Sequence, residues 1–119
     1  MKKSIIIDNK TRNLELIGEL VLVISPNLKK LRNYTLGLFS GMISYLDDEF
    51  ILIDPAFFLK LPFKKLERKE NCKYNISHKR VGIEFYSGIE DIVEKLKNEE
   101  GYQDYANWIS QLKKPYSFD

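Results

Sequence analysis

The longest unbroken apolar run in this chain is Leu20 to Ile24, and all others are shorter or broken by charge. A helix that crosses a bilayer needs about 20 consecutive apolar residues. A membrane helix is therefore excluded, and the chain has to bury its apolar residues against one another in short elements. Its 119 residues suit a single domain over 1–119, because a core of that size removes roughly 60% to 70% of the unfolded chain's surface from water. Hydrophobic content of 44%, with four prolines and six glycines, is that of a folded globule. A lone cysteine, Cys72, cannot close an internal disulfide. Met1-Lys2-Lys3-Ser4 precedes only three apolar residues, too few for a signal peptide. The expected compartment is the cytoplasm.

Ser4 to Asp8 reads as a short β-branched strand. Leu14 to Ile24 fits a helical face through Leu16, Ile17, Leu20, Val21 and Ile24, but Val21 to Ile24 has strand composition, and strand is preferred. Ser25-Pro26 resembles an N-cap followed by proline in the first turn. Leu28, Leu31, Thr35, Leu38, Met42 and Tyr45 then follow a three-four spacing, which predicts a long helix from Pro26 to about Leu46. Gly37 and Gly41 on that segment permit close approach of another backbone. Phe50 to Ile53 reads as a buried strand, and Asp54-Pro55 as the start of a short helix ended by Pro62. Alternation through Tyr74 and Ile76, then Val81, Ile83 and Phe85, predicts a hairpin turning at Ser77 to Arg80.

Ser87-Gly88-Ile89-Glu90 has the form of a capping box. Ile89, Ile92, Val93 and Leu96 form the inward face of the helix that follows, leaving Glu90, Asp91, Glu94, Lys95 and Lys97 outward. Gly101 separates it from a last helix with Tyr105, Trp108, Ile109 and Leu112 inward, ended by Pro115, after which Tyr116 and Phe118 fold back. The expected fold is α+β: a small, mainly antiparallel sheet packed against a long central helix and two C-terminal helices.

Catalytic chemistry finds little support. His78 is the only histidine, so neither a two-histidine acid–base pair nor a histidine-rich zinc site can be assembled from one chain. Cys72 and His78 flank one predicted strand among lysines and arginines that would lower the thiol pKa, yet a lone semi-buried cysteine is the commoner case, and Asp47, Asp48 and Glu49 lack calcium-loop spacing. No phosphate loop, nucleophile elbow or dinucleotide fingerprint is present. The expectation is a protein that is not an enzyme and uses no metal, cofactor or small-molecule substrate.

Charge is sorted along the chain. Residues 60–80 hold eight cations against two acids, a net +6, and residues 81–104 hold seven acids against two lysines, a net −5. Such a dipole steers charged partners. The acids nominated for partner binding are Asp47, Asp48, Glu49, Glu90, Asp91, Glu94, Glu99, Glu100 and Asp104. The basic stretch, with Phe57, Phe58 and Phe63 interleaved, supports an alternative as a small nucleic-acid-binding module. A net charge of only +2 weighs against it.

From Tyr34-Thr35-Leu36-Gly37 to Asp47-Asp48-Glu49-Phe50, the chain resembles small immunity proteins of the contact-dependent growth inhibition and polymorphic-toxin kind. The resemblance implies a cognate toxin domain as partner and neutralisation by direct contact, in the bacterial cytoplasm. It transfers no functional residue.

Overall fold

The buried run Leu20 to Ile24 is the middle of a sheet. In the computed structural model, which describes residues 17–26, 32–40, 50–59, 67–68, 74–77 and 84–118, it forms strand β1, Leu20–Pro26. All five apolar residues are fully buried. Successive strand side chains point to opposite faces, so β1 is covered on both, and a run with no polar alternation results.

On one side of β1 lies β2, Arg32–Phe39, paired antiparallel with Leu22 opposite Leu36 and Ile24 opposite Tyr34. This corrects the long central helix expected from Pro26 to about Leu46: Pro26 ends a strand, and residues 32–39 are extended. Tyr34 and Leu36 are buried on one face and Thr35 and Phe39 are buried as well, so β2 lost the alternation that marks a half-exposed strand. Of the three-four series only Thr35 and Leu38 fall in β2, where they belong to an extended strand and not to one face of a helix. Residues 27–31 and 41–49 lie outside the described residues, as does the strand expected at Ser4 to Asp8.

Next to β2 runs β3, Phe50–Leu59. The expected strand at Phe50 to Ile53 is present. The short helix expected to start at Asp54-Pro55 is not, because β3 continues through a cis Asp54–Pro55 bond. The β2–β3 register shifts between Gly37 and Phe39. There a Cβ on Gly37 would collide with the Ile53 side chain and come within 2.6 Å of the Pro55 carbonyl oxygen, so only glycine allows this approach. Gly37 thus serves close backbone approach, but between strands and not on the helix expected; Gly41 is outside the described residues.

The far edge of β3 pairs with two short strands, β4 (Glu67–Arg68) at Phe57 and Phe58, and β5 (Tyr74–Ser77) at Phe50 to Ile53. On the other side of the sheet, β6 (Glu84–Ser87) pairs with β1. The order is β4-β3-β2-β1-β6, with β5 also on β3, and every pairing is antiparallel. The expected β5–β6 hairpin is therefore corrected. The two strands flank opposite sides of the sheet, because β1 offers β6 the edge that β2 leaves open.

Two helices follow, α1 (Ile89–Lys97) and α2 (Gln103–Ser110). The chain turns from β6 into α1 at Gly88, with φ 88° and ψ 148°, a conformation essentially restricted to glycine. Gly88 is the N-cap and no side-chain hydrogen bond caps the helix, which corrects the capping box: Ser87 is the last residue of β6, one position before the cap. Ile92 and Leu96 of α1, Tyr102 at the junction, and Ala106 and Ile109 of α2 pack on Leu20, Leu22, Ile24, Tyr34, Leu36 and Leu59. Ile89, Val93, Tyr105, Trp108 and Leu112 border this core, as expected from their spacing. The tail folds back as expected, with the Phe118 ring 4.5 Å from Phe57 and 6.3 Å from Trp108. Among the described residues the architecture is α+β, a mainly antiparallel sheet with two helices on one face.

Candidate docking surface

Once Ile92 and Leu96 are fixed inward, the helical period aims Glu90 and Glu94 at solvent, and both are exposed; Asp91 is partly buried beside them. Glu100 and Asp104 are exposed at the junction and the first turn of α2. Acids at helix N-termini also suit the helix dipole, which favours Glu90 and Asp91 in α1 and Asp104 in α2. No described side chain pairs with Glu90, Asp91, Glu94, Glu100 or Asp104. Glu99 differs. It is partly buried and engaged, 2.9 Å from the Lys95 ammonium and accepting a 3.3 Å hydrogen bond from the Tyr34 hydroxyl. Asp47, Asp48 and Glu49 lie outside the described residues, as do His78 and Cys72.

Lys95 was expected to face outward with the acids. Instead its ammonium turns back between Glu99 and Glu84, 3.5 Å from the latter, and stands 5.8 Å from the centre of the Tyr86 ring. The cause is β6: pairing opposite Leu22 and Ile24 puts Tyr86 and Glu84 on the helix-bearing face, directly in reach. The Tyr86 hydroxyl donates a 2.8 Å hydrogen bond to Glu84. Its hydrogen bond to Glu99 holds the Lys95 ammonium above the ordinary lysine pKa, against the opposing effect of burial. Burial, then the Glu84 carboxylate, raises the Tyr86 phenol. Lys95 thus spends its charge on Glu84 and Glu99, which leaves the acids on the outer face of α1 with no lysine among them except Lys97.

No family model, curated protein or solved structure matches the chain. What the surface can do chemically must come from its own residues. Among the described residues no group of three or more histidine, cysteine, aspartate or glutamate side chains is placed to hold a metal ion. No helix among them is long and apolar enough to cross a membrane. Two shallow clefts flank α1. One, of about 240 Å³, is lined by Tyr86, Asp91, Glu94, Lys95 and Asn98. The other, of about 170 Å³, is lined by Ser87 to Asp91 and Tyr116. Both are open and lined by carboxylates and a tyrosine, and in the first Lys95 also lines the cleft.

Sequence reasoning nominated the acids and missed the aromatic groups beside them. Glu84 and Tyr86 carry a local signal, the period-two placement on one strand face. Tyr116 carries none, because its position depends on how the tail docks. That docking rests on the Lys114 ammonium, 2.6 Å from the largely buried Glu19 carboxylate at the entry to β1. The bond to Glu19 raises the Lys114 pKa above the ordinary lysine value.

Proposed function

We propose that the protein is an inhibitor that acts by contact, an immunity protein whose acidic α1 face captures and neutralises a basic toxin domain. The observation that carries the reading is the orientation of Lys95. Turned inward, it leaves Glu90, Asp91 and Glu94 projecting from a helix anchored by Ile92 and Leu96, with no described ion pair of their own. Unpaired surface acids contribute little to stability. They contribute to association instead, through steering and partner choice. Capture by carboxylates suits a toxin whose own surface is arranged to bind phosphate, a nuclease above all. The protein performs no chemistry in this reading and holds no cofactor. The basic segment 60–80 lies mostly outside the described residues, of which it contributes only β4 and β5, and no observation favours the nucleic-acid reading.

The test starts from the gene directly preceding this one, which in this reading encodes a large secreted protein with a toxin domain at its C-terminus. That domain, produced alone, should arrest growth, and co-production of this protein should restore it. Reversing Asp91 and Glu94 to lysine should slow association at least several-fold at low salt, with a smaller effect at high salt as ions screen the steering. An unchanged association rate with the fold intact moves the interface off α1, and failure to bind or protect rejects the function.

A further inference from the structure

The segment that follows α2 differs from the elements it crosses. None of residues 111–118 is buried. Among the described residues no backbone–backbone hydrogen bond reaches beyond Leu112, whose N–H donates to the Ile109 carbonyl at 3.0 Å. We infer that Gln111 to Phe118 form a strap, closed by a charge clasp at one point and a ring plug at another, which opens as a unit while the sheet and helices stay folded. This is independent of the function proposed for α1.

The clasp is the Glu19–Lys114 pair, 2.6 Å apart, and its two halves are unequally held. The acid belongs to the sheet. The Phe39 N–H donates to the Glu19 carbonyl and the Gly18 N–H to the Phe39 carbonyl, both at 2.7 Å. The Glu19 side chain is 10% exposed and that of Lys114 is 62% exposed. The carboxylate also lies against the turn from β6 into α1, its Oε2 4.0 Å from where a Cβ on Gly88 would stand. The lysine rides on the strap, 6.0 Å from the centre of the Tyr116 ring. A pair with one end in solvent is weak and is screened by salt.

The plug is Phe118, whose ring stands 4.5 Å from Phe57 and 6.3 Å from Trp108. Phe57 lies opposite Leu36 and so on the helix-bearing face, where it is almost wholly shielded. Between clasp and plug, Tyr116 lines the shallow cleft over Ser87 to Asp91. The free energy needed to open a segment follows its buried contacts and its backbone hydrogen bonds. α1 and α2 are anchored by the fully buried Ile92, Leu96 and Ile109, whereas the strap has two side-chain holds. Opening it therefore costs a fraction of global unfolding. It uncovers Phe57 and Trp108 and releases the Glu19 carboxylate, so apolar surface and a new negative charge appear together. The clasp makes the open population respond to charge and to salt.

Native-state proteolysis of the full chain tests this, with chymotrypsin cleavage after Tyr116 compared with cleavage after Tyr34 in β2, both followed by mass spectrometry. When reclosing is fast, such rates track the population of the open form. The cut after Tyr116 should be more than about tenfold faster and nearly independent of low urea, because local opening exposes little surface. The cut in β2 should rise with urea as global unfolding does. Raising salt from about 0.05 M to about 1 M should speed the first cut about three- to tenfold. Lys114→Gln should speed it by a similar factor at low salt and remove its response to salt. Phe118→Leu should also speed it and increase quenching of Trp108, the one tryptophan of the chain, by acrylamide; it serves as the second variant should Lys114→Gln fail to fold. Equal urea dependence at the two sites overturns the strap as a separate unit. A first cut as fast as in a free peptide of residues 111–118 overturns its closure. A salt response that survives in Lys114→Gln overturns the clasp. None of these outcomes bears on capture of a toxin domain, which is read from its own association rate.

Discussion

The Thr35 hydroxyl is fully buried opposite Val23 on the sheet face away from the helices, with no hydrogen-bond partner among the described residues. A buried hydroxyl without a partner has lost its water and gained nothing in return. Thr35→Val keeps the shape and removes the polar atom, so urea denaturation should show a gain of about 1 kcal/mol. A loss would mean that the hydroxyl is bonded in solution. A second expectation at this scale concerns alkaline pH. Burial raises the phenols of Tyr102 and Tyr105 above their ordinary value of 10.0, and the Glu99 hydrogen bond raises Lys95 above 10.5. Groups with raised folded pKa values bind protons more tightly when folded. Their stabilisation is complete below the unfolded values and is lost as pH rises through the folded ones. Stability should therefore hold up to about pH 10 and fall beyond it. Tyr102→Phe, which cannot ionise, should flatten that fall, and an unchanged slope would assign it to other groups.

At the scale of elements, α1 separates support from display. Leu96 is fully buried in the core, and Glu94 is exposed on the opposite face. Leu96→Ala should cost about 2–5 kcal/mol through the cavity it leaves, and Glu94→Lys less than about 0.5 kcal/mol, both read from denaturation midpoints. Comparable losses would show that the outer face bears on folding. This division also explains which elements were legible in the sequence. The helices were, because each has a polar outer side that keeps the period of Ile89, Ile92, Val93 and Leu96 visible. β1 was half legible, its composition indicating strand while its helical alternative stayed open. β2 was not, since burial of both Leu36 and Thr35 erased any period of two. β3 was not beyond Ile53, because nothing local distinguishes an extended Asp54-Pro55 from a helix start. In the docking surface, the acids of α1 were legible for the same reason as the helix. The commitment of Glu99 and Lys95 was not, because it depends on which strand β6 joins.

At the scale of the molecule, the sheet order places β6 beside β1 although some 58 residues separate Pro26 from Glu84. β1 also receives its helical cover from Ile92 and Leu96, later still in the chain. A ribosome adds about 5–20 residues per second, so the most apolar of the described strands emerges roughly 3 to 12 seconds before the strand that closes its open edge. During that interval it is a template for pairing with other chains. A fragment ending at Ile83 should accordingly form aggregates detectable by light scattering, and a peptide spanning 84–118, supplied in trans, should suppress them. A fragment that stays dispersed and monomeric would show that β1 is sheltered by earlier parts of the chain. If the expectation holds, speed of synthesis through the segment between Pro26 and Glu84 becomes a determinant of yield. Slow codons there would lengthen the exposure, and a chaperone that shields extended apolar segments would shorten its effect.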